Sequence, residues 1–94
     1  MSLDLHKLEG NRPAERLMSI SDAELDQLEP EIEAFRLKTG MIIDQYGDLK
    51  LRSNIGDLID ILESASTQTA AHTSLSNILK RSVQEGFALI FVGD

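Results

Sequence analysis

Cysteine and tryptophan are absent from this chain, aromatic residues make up 4% of it, and two prolines and six glycines are its whole stock of backbone breakers. Without cysteine there is no disulfide framework, thiolate nucleophile or cysteine-held zinc, and a chain that folds without such staples suits a reducing compartment. The glycines are scattered. Phosphate cradles need several ahead of a helix, whereas Gly56 stands alone at a helix start with no Walker lysine. Long apolar runs are also missing: the longest, Phe87 to Val92, is strand-sized, far short of the roughly 20 residues that span a bilayer. Met1 to Arg16 mixes charges with isolated leucines and does not read as a signal peptide. The expectation is a cytoplasmic protein with no membrane association.

What is present describes an ordinary globular chain. At 94 residues, 41% hydrophobic and 27% charged, it has the length for one core and the composition to fold, so a single domain over 1–94 is expected, with 1–19 loosely ordered. The net charge of −7 is uneven. Residues 1–33 carry nine acids and three bases, and six of those acids (Asp22, Glu24, Asp26, Glu29, Glu31 and Glu33) fall in a stretch with no base at all. Such a field repels phosphate backbones and attracts basic surfaces, which argues against nucleic acid and for a basic protein partner.

Local signals place most elements. Gly10-Asn11-Arg12-Pro13 reads as a turn, with Pro13 opening a short helical segment through Met18. Ser21 and Glu24 have capping-box spacing and Ile20 and Leu25 that of a hydrophobic staple, so a helix starts at Ser21 and carries Leu25, Leu28, Ile32 and Phe35 on one stripe to a stop at Gly40. Pro30 inside it predicts a kink or a break into two helices. Residues 41–52 read as a hairpin around Tyr46-Gly47-Asp48, its register open between a two- and a three-residue loop. Asn54 is an N-cap for a helix bearing Ile55, Leu58, Ile59 and Leu62, and a further helix over 69–85 carries Leu75, Ile78, Leu79 and Val83 to Gly86.

The terminal run 87–92 does not alternate, so it must be a strand covered on both faces and therefore central. The resulting fold class is α+β: a small three-stranded sheet, made of hairpin 41–52 plus strand 87–92, packed with three to four helices. The 54–64 and 69–85 helices take one face. The N-terminal helices, or a second copy in a homodimer, take the other.

No catalytic constellation stands out. Asp44 with Asp48 and Asp57 with Asp60 are the candidate acid–base pairs, but the first pair flanks a turn and the second sits where helix dipoles favour carboxylates. His6 and His72 are far apart in sequence and neither has a companion ligand, so no metal and no cofactor is expected, and His72 reads as a surface or capping group. No Gly-x-Ser-x-Gly elbow singles out a nucleophile. The acid run is the one feature above background, since like charges three and four residues apart on a helix repel and stability does not account for them. Asp22, Asp26, Glu29 and Glu33 form a stripe proposed as a docking face, with Asp57 and Asp60 as a second acidic surface.

The function these features favour is non-enzymatic: a protein-binding module such as a bacterial immunity protein, antitoxin, inhibitor or small adaptor. Two alternatives stand beside it. One is a winged-helix-like transcriptional regulator, for which Lys80 and Arg81 are the only bases on the would-be recognition helix. The other is a subunit that homo-oligomerises through its apolar sheet.

Overall fold

The computed structural model describes residues 2–93, so both end positions of the expected 1–94 domain lie outside it. In chain order the elements are β1 (Ser2–Glu9), β2 (Arg12–Ser21), α1 (Asp22–Thr39), β3 (Leu49–Leu51), α2 (Ile55–Glu63), α3 (Ala70–Glu85) and β4 (Ala88–Gly93). The strands form one antiparallel sheet in the order β2-β1-β4-β3. The α+β class is as the sequence implies, with four strands and three helices in place of three strands and three to four helices.

The apolar run at the end of the chain is the central strand. Leu89 and Phe91 point to the helices and are fully buried, whereas Ile90 points the other way and is still only 3% exposed. All three helices pack on the Leu89–Phe91 face around Leu3, Leu5, Ile20, Leu28, Phe35, Leu58 and Leu79. Helix α1 therefore shares a face with α2 and α3, which corrects the expectation that N-terminal helices cover the far side. On the far face Leu8 and Ile90 are buried as well, at 6% and 3% exposure.

The hairpin β1–β2 occupies a segment whose sequence suggests a turn and a short helix at 13–18. The turn is real: Glu9 pairs with Arg12 across Gly10 and Asn11, and Gly10 takes the positive φ of 62° that such a loop requires. The helix is not. Pro13 lies in β2 opposite Leu8, on an edge strand where its missing N–H costs no ladder bond. Two register shifts, between Leu5 and His6 and between His6 and Leu8, mark bulges that add twist. The tip then reaches β3, with Arg52 Nη2 donating to Gly10 O at 2.8 Å and Asn11 Oδ1 at 3.1 Å, and Lys50 Nζ to Asn11 Oδ1 at 3.2 Å. Because β4 lies between β1 and β3, these bonds cross its start.

Helix α1 begins as expected. Glu24 N donates to Ser21 Oγ and Ser21 N to Glu24 Oε1, a complete capping box, typically worth about 1 kcal/mol at the N-cap. The helix runs unbroken through Pro30, which rules out two separate helices, although Pro30 has no N–H to give the carbonyl of Asp26. Gly40 ends it in the left-handed region, donating to Arg36 O at 2.7 Å.

The hairpin expected over 41–52 does not form. Only Leu49–Leu51 is strand, and it pairs with β4. Residues 40–48 make a loop because Met41 and Ile43 sink into the core and Asp44 Oδ1 captures the Tyr46 N–H at 2.8 Å, turning the chain before a second strand could pair. The loop is pressed onto the end of β4. Asp48 Oδ1 accepts the Gly93 N–H at 3.1 Å, and a Cβ on Gly93 would lie 2.6 Å from Gln45 O and 2.8 Å from Gly47 N. At α2, Asn54 occupies the N-cap position in left-handed conformation with φ 64° and its side chain makes no capping bond, which corrects the expected side-chain cap. Helix α3 starts at a Thr69–His72 capping box and stops at Gly86, also left-handed.

Replacing Gly93 by alanine drives the new methyl into backbone that cannot step aside, and overpacking of this kind costs about 1–3 kcal/mol. Gly56 in α2 has nothing within 4 Å of its would-be Cβ, so Gly56→Ala should be neutral or stabilise by up to about 1 kcal/mol. Urea denaturation of the two variants beside the wild type checks the contrast; equal midpoints would mean the 40–48 loop does not press on β4.

Candidate functional site

The six acids of the α1 run separate by partner. Glu24 closes the capping box, and Glu31, with its side chain 13% exposed, accepts from the buried His72 Nε2. Glu33 is gripped by Arg36 through two guanidinium bonds, one from Nε at 3.0 Å to Oε2 and one from Nη2 to Oε1. The Arg36 hydrogen bond holds the Glu33 carboxyl below the usual carboxylate range, and Glu33 raises the Arg36 guanidinium in turn. Asp22, Asp26 and Glu29 remain on the exposed surface, and Asp26 and Glu29 have no ion-pair partner among the described residues.

Those three carboxylates line a groove of ≈ 330 Å³ between α1 and the 40–48 loop. Spacings of three and four residues bring Asp22, Leu25, Asp26, Glu29 and Ile32 to one side of the helix. The opposite wall is Asp44, Gln45 and Tyr46, held in place by the Asx turn at Asp44 and the Asp48–Gly93 bond. The floor is apolar, from Leu25 and Ile32, which are half-buried beside the fully buried Leu28 and Phe35. The polar rim is four carboxylates and one amide. Among the described residues no lysine, arginine or histidine lines it.

Three of the four residues of the proposed stripe thus meet at one site, and Glu33 stands apart in its pair with Arg36. The second acidic surface is elsewhere. Asp57, in the first turn of α2, pairs with Lys38 Nζ at 3.1 Å, and Asp60 is exposed on the same helix. Sequence patterning does not bring out Asp44 or Tyr46 as groove residues, because the strand expected over 41–52 hides the loop that carries them. The Asp44-Gln45-Tyr46-Gly47-Asp48 string, with turn formers at three of five positions, is the signal that could have exposed it.

A second polar arrangement lies in the interior. His72 Nδ1 accepts the Thr69 N–H at 3.2 Å and lies 2.7 Å from Thr69 Oγ1, while Nε2 donates to Glu31. The Thr69 N–H can only donate, so the ring proton sits on Nε2. The capping role expected of His72 is present; the surface position is not, since the ring is 1% exposed. A hydroxyl, an imidazole and a carboxylate in line have the connectivity of a nucleophile, base and orienter, but neither Thr69 nor His72 lines the groove and each bond is accounted for by capping and by tying α3 to α1. Among the described residues no three His, Asp or Glu side chains gather closely enough to hold a metal ion. No helix is long and apolar enough to cross a membrane.

Comparison with known proteins gives no matching family, no matching curated protein and no matching solved structure.

The Glu31–His72 tie generates a test by double substitution. His72→Leu alone leaves the Glu31 carboxylate without its donor, a loss of about 1–3 kcal/mol, whereas replacing both partners by leucine should recover most of that stability. Thermal unfolding of the two single variants and the double variant measures the coupling. A double variant no more stable than either single one would show that the pair does not act as a unit.

Proposed function

We propose that this chain is a non-enzymatic protein-binding module that receives a basic partner in the groove between α1 and the 40–48 loop. The observation that carries the reading is the groove's composition: Asp26, Glu29 and Asp44, with Asp22 beside them, surround an apolar floor of Leu25 and Ile32, and no lysine, arginine or histidine among the described residues lines it. Carboxylates so placed speed encounter with a cationic surface and fix its orientation, and the floor supplies contact that does not depend on salt. An acidic chain of −7 adds long-range attraction to the same class of partner. Immunity proteins, antitoxins, inhibitors and small adaptors are the roles this mode of binding serves, in the cytoplasm of a bacterial cell.

The alternatives fit less well. For a transcriptional regulator, Lys80 and Arg81 on α3 are the bases needed for phosphate contacts, yet both are already paired, with Glu63 at 3.2 Å and Glu85 at 2.9 Å. For a homo-oligomer joined through the sheet, the far face has Leu8 and Ile90 already buried within one chain.

Affinity capture from native cell extract, washed at low and at high salt, tests the proposal with an Asp26→Lys/Glu29→Lys variant in parallel. A basic protein should be retained by the wild type at low salt and released at high salt, with retention by the variant reduced at least about tenfold, or about 1.4 kcal/mol. The same protein retained equally by both forms would leave the acidic rim as a solvated surface and remove the proposal.

A further inference from the structure

Tyr46 is the chain's only tyrosine, and it is 73% exposed on a loop that is otherwise firmly anchored. It stands on the groove wall across from the carboxylates of α1. An aromatic face beside several carboxylates matches one kind of cation better than others. A lysine ammonium is a compact, strongly hydrated charge, whereas a guanidinium is flat, weakly hydrated and able to stack on a ring while donating from its edge to carboxylates. A bare divalent ion is a poor fit, because no three ligating groups converge among the described residues.

We propose that the groove is an arginine-recognition site: a guanidinium from a partner protein stacks on Tyr46 and donates to the rim carboxylates, while the arginine stem and a neighbouring apolar residue lie on Leu25 and Ile32. This rests on the reading that the groove receives a basic protein partner, and it names the side chain that anchors that partner. Charge complementarity selects the occupant: the rim carries Asp26, Glu29 and Asp44 beside Asp22, no lysine, arginine or histidine among the described residues lines it, and the apolar floor matches the methylene stem that long cationic side chains lay on apolar surface. The loop is also built to present the ring. The Asp44–Tyr46 turn bond and the contact of Gly93 with Gln45 and Gly47 fix the backbone on both sides of it.

The test titrates the full chain, followed by amide chemical shifts, with two short peptides that alternate leucine with arginine or leucine with lysine. Both should shift the amides of 22–32 and 44–46, and the arginine peptide should bind roughly three- to tenfold more tightly, the range expected of a stacked guanidinium. Tyr46→Ala should abolish that preference and leave the lysine peptide's affinity in place, and Tyr46→Phe should keep the preference. Because the ring is exposed, neither change should disturb the fold, which the unshifted amides of β1 and β4 verify. Equal affinities for the two peptides, or a preference that survives Tyr46→Ala, would overturn the arginine anchor while the basic-partner reading stood. Peptides that shift no groove amide would overturn the site, and the extract capture would then decide separately whether a basic partner binds elsewhere.

Discussion

A six-residue apolar strand that has to be hidden on both faces governs this structure. Leu89 and Phe91 need a helical layer on one side, and Ile90 needs cover on the other, in a chain of 94 residues that has only three helices among its described residues to spend. The helices gather on the side with the two larger demands, where Phe35 of α1, Leu58 of α2 and Leu79 of α3 all reach full or nearly full burial. Beside β4 runs a bulged hairpin whose tip Arg52 and Lys50 tether across the strand's start. With β4 central, the chain between α1 and β3 has to pass the strand's far end, and the close fit of Gly93 against Gln45 and Gly47 records that passage. The groove is a by-product of the same constraint, since the loop that crosses β4 forms its second wall.

The acid run of α1 shows how one compositional feature resolves into separate physical roles once partners are known. A carboxylate at the third helical position caps a terminus, one turned inward ties α1 to α3 through an imidazole, and one a turn before an arginine is neutralised on the surface. Each of these has a structural account. Asp26 and Glu29 remain, and with Asp22 beside them they share the groove's rim with Asp44 from a distant part of the chain. That convergence, and not the density of acids in the sequence, separates the groove from an ordinary solvated helix face.

Much of the fold was legible because the signals were local. The Ser21–Glu24 box, Gly40, the Leu58–Leu62 pattern and the Gly86 stop all act within one or two turns, and each appears where the sequence puts it. The failures share a different cause. Leu3 and Leu5 look like isolated leucines until β4 is laid beside them, and Pro13 resembles a helix start until β2 is seen to be an edge strand. Met41 and Ile43 have strand-like patterning, but their apolar side chains are worth more in the core than on a ladder, and Asp44 turns the backbone away before pairing can begin. Of the site, the α1 wall was readable from helical spacing. The wall bearing Asp44 and Tyr46 was not, because it depends on a long-range contact with Gly93.

Position, rather than total charge, is the central claim, and calorimetric titration of a basic partner segment into two charge-matched variants tests it most directly. Asp26→Asn/Glu29→Gln removes two charges from the groove, and Asp57→Asn/Asp60→Asn removes the same number from α2. The account predicts a clear loss of affinity in the first and near wild-type binding in the second at physiological salt. Equal losses in the two variants would contradict it, and would show that the partner responds to the overall field of the molecule and not to the groove.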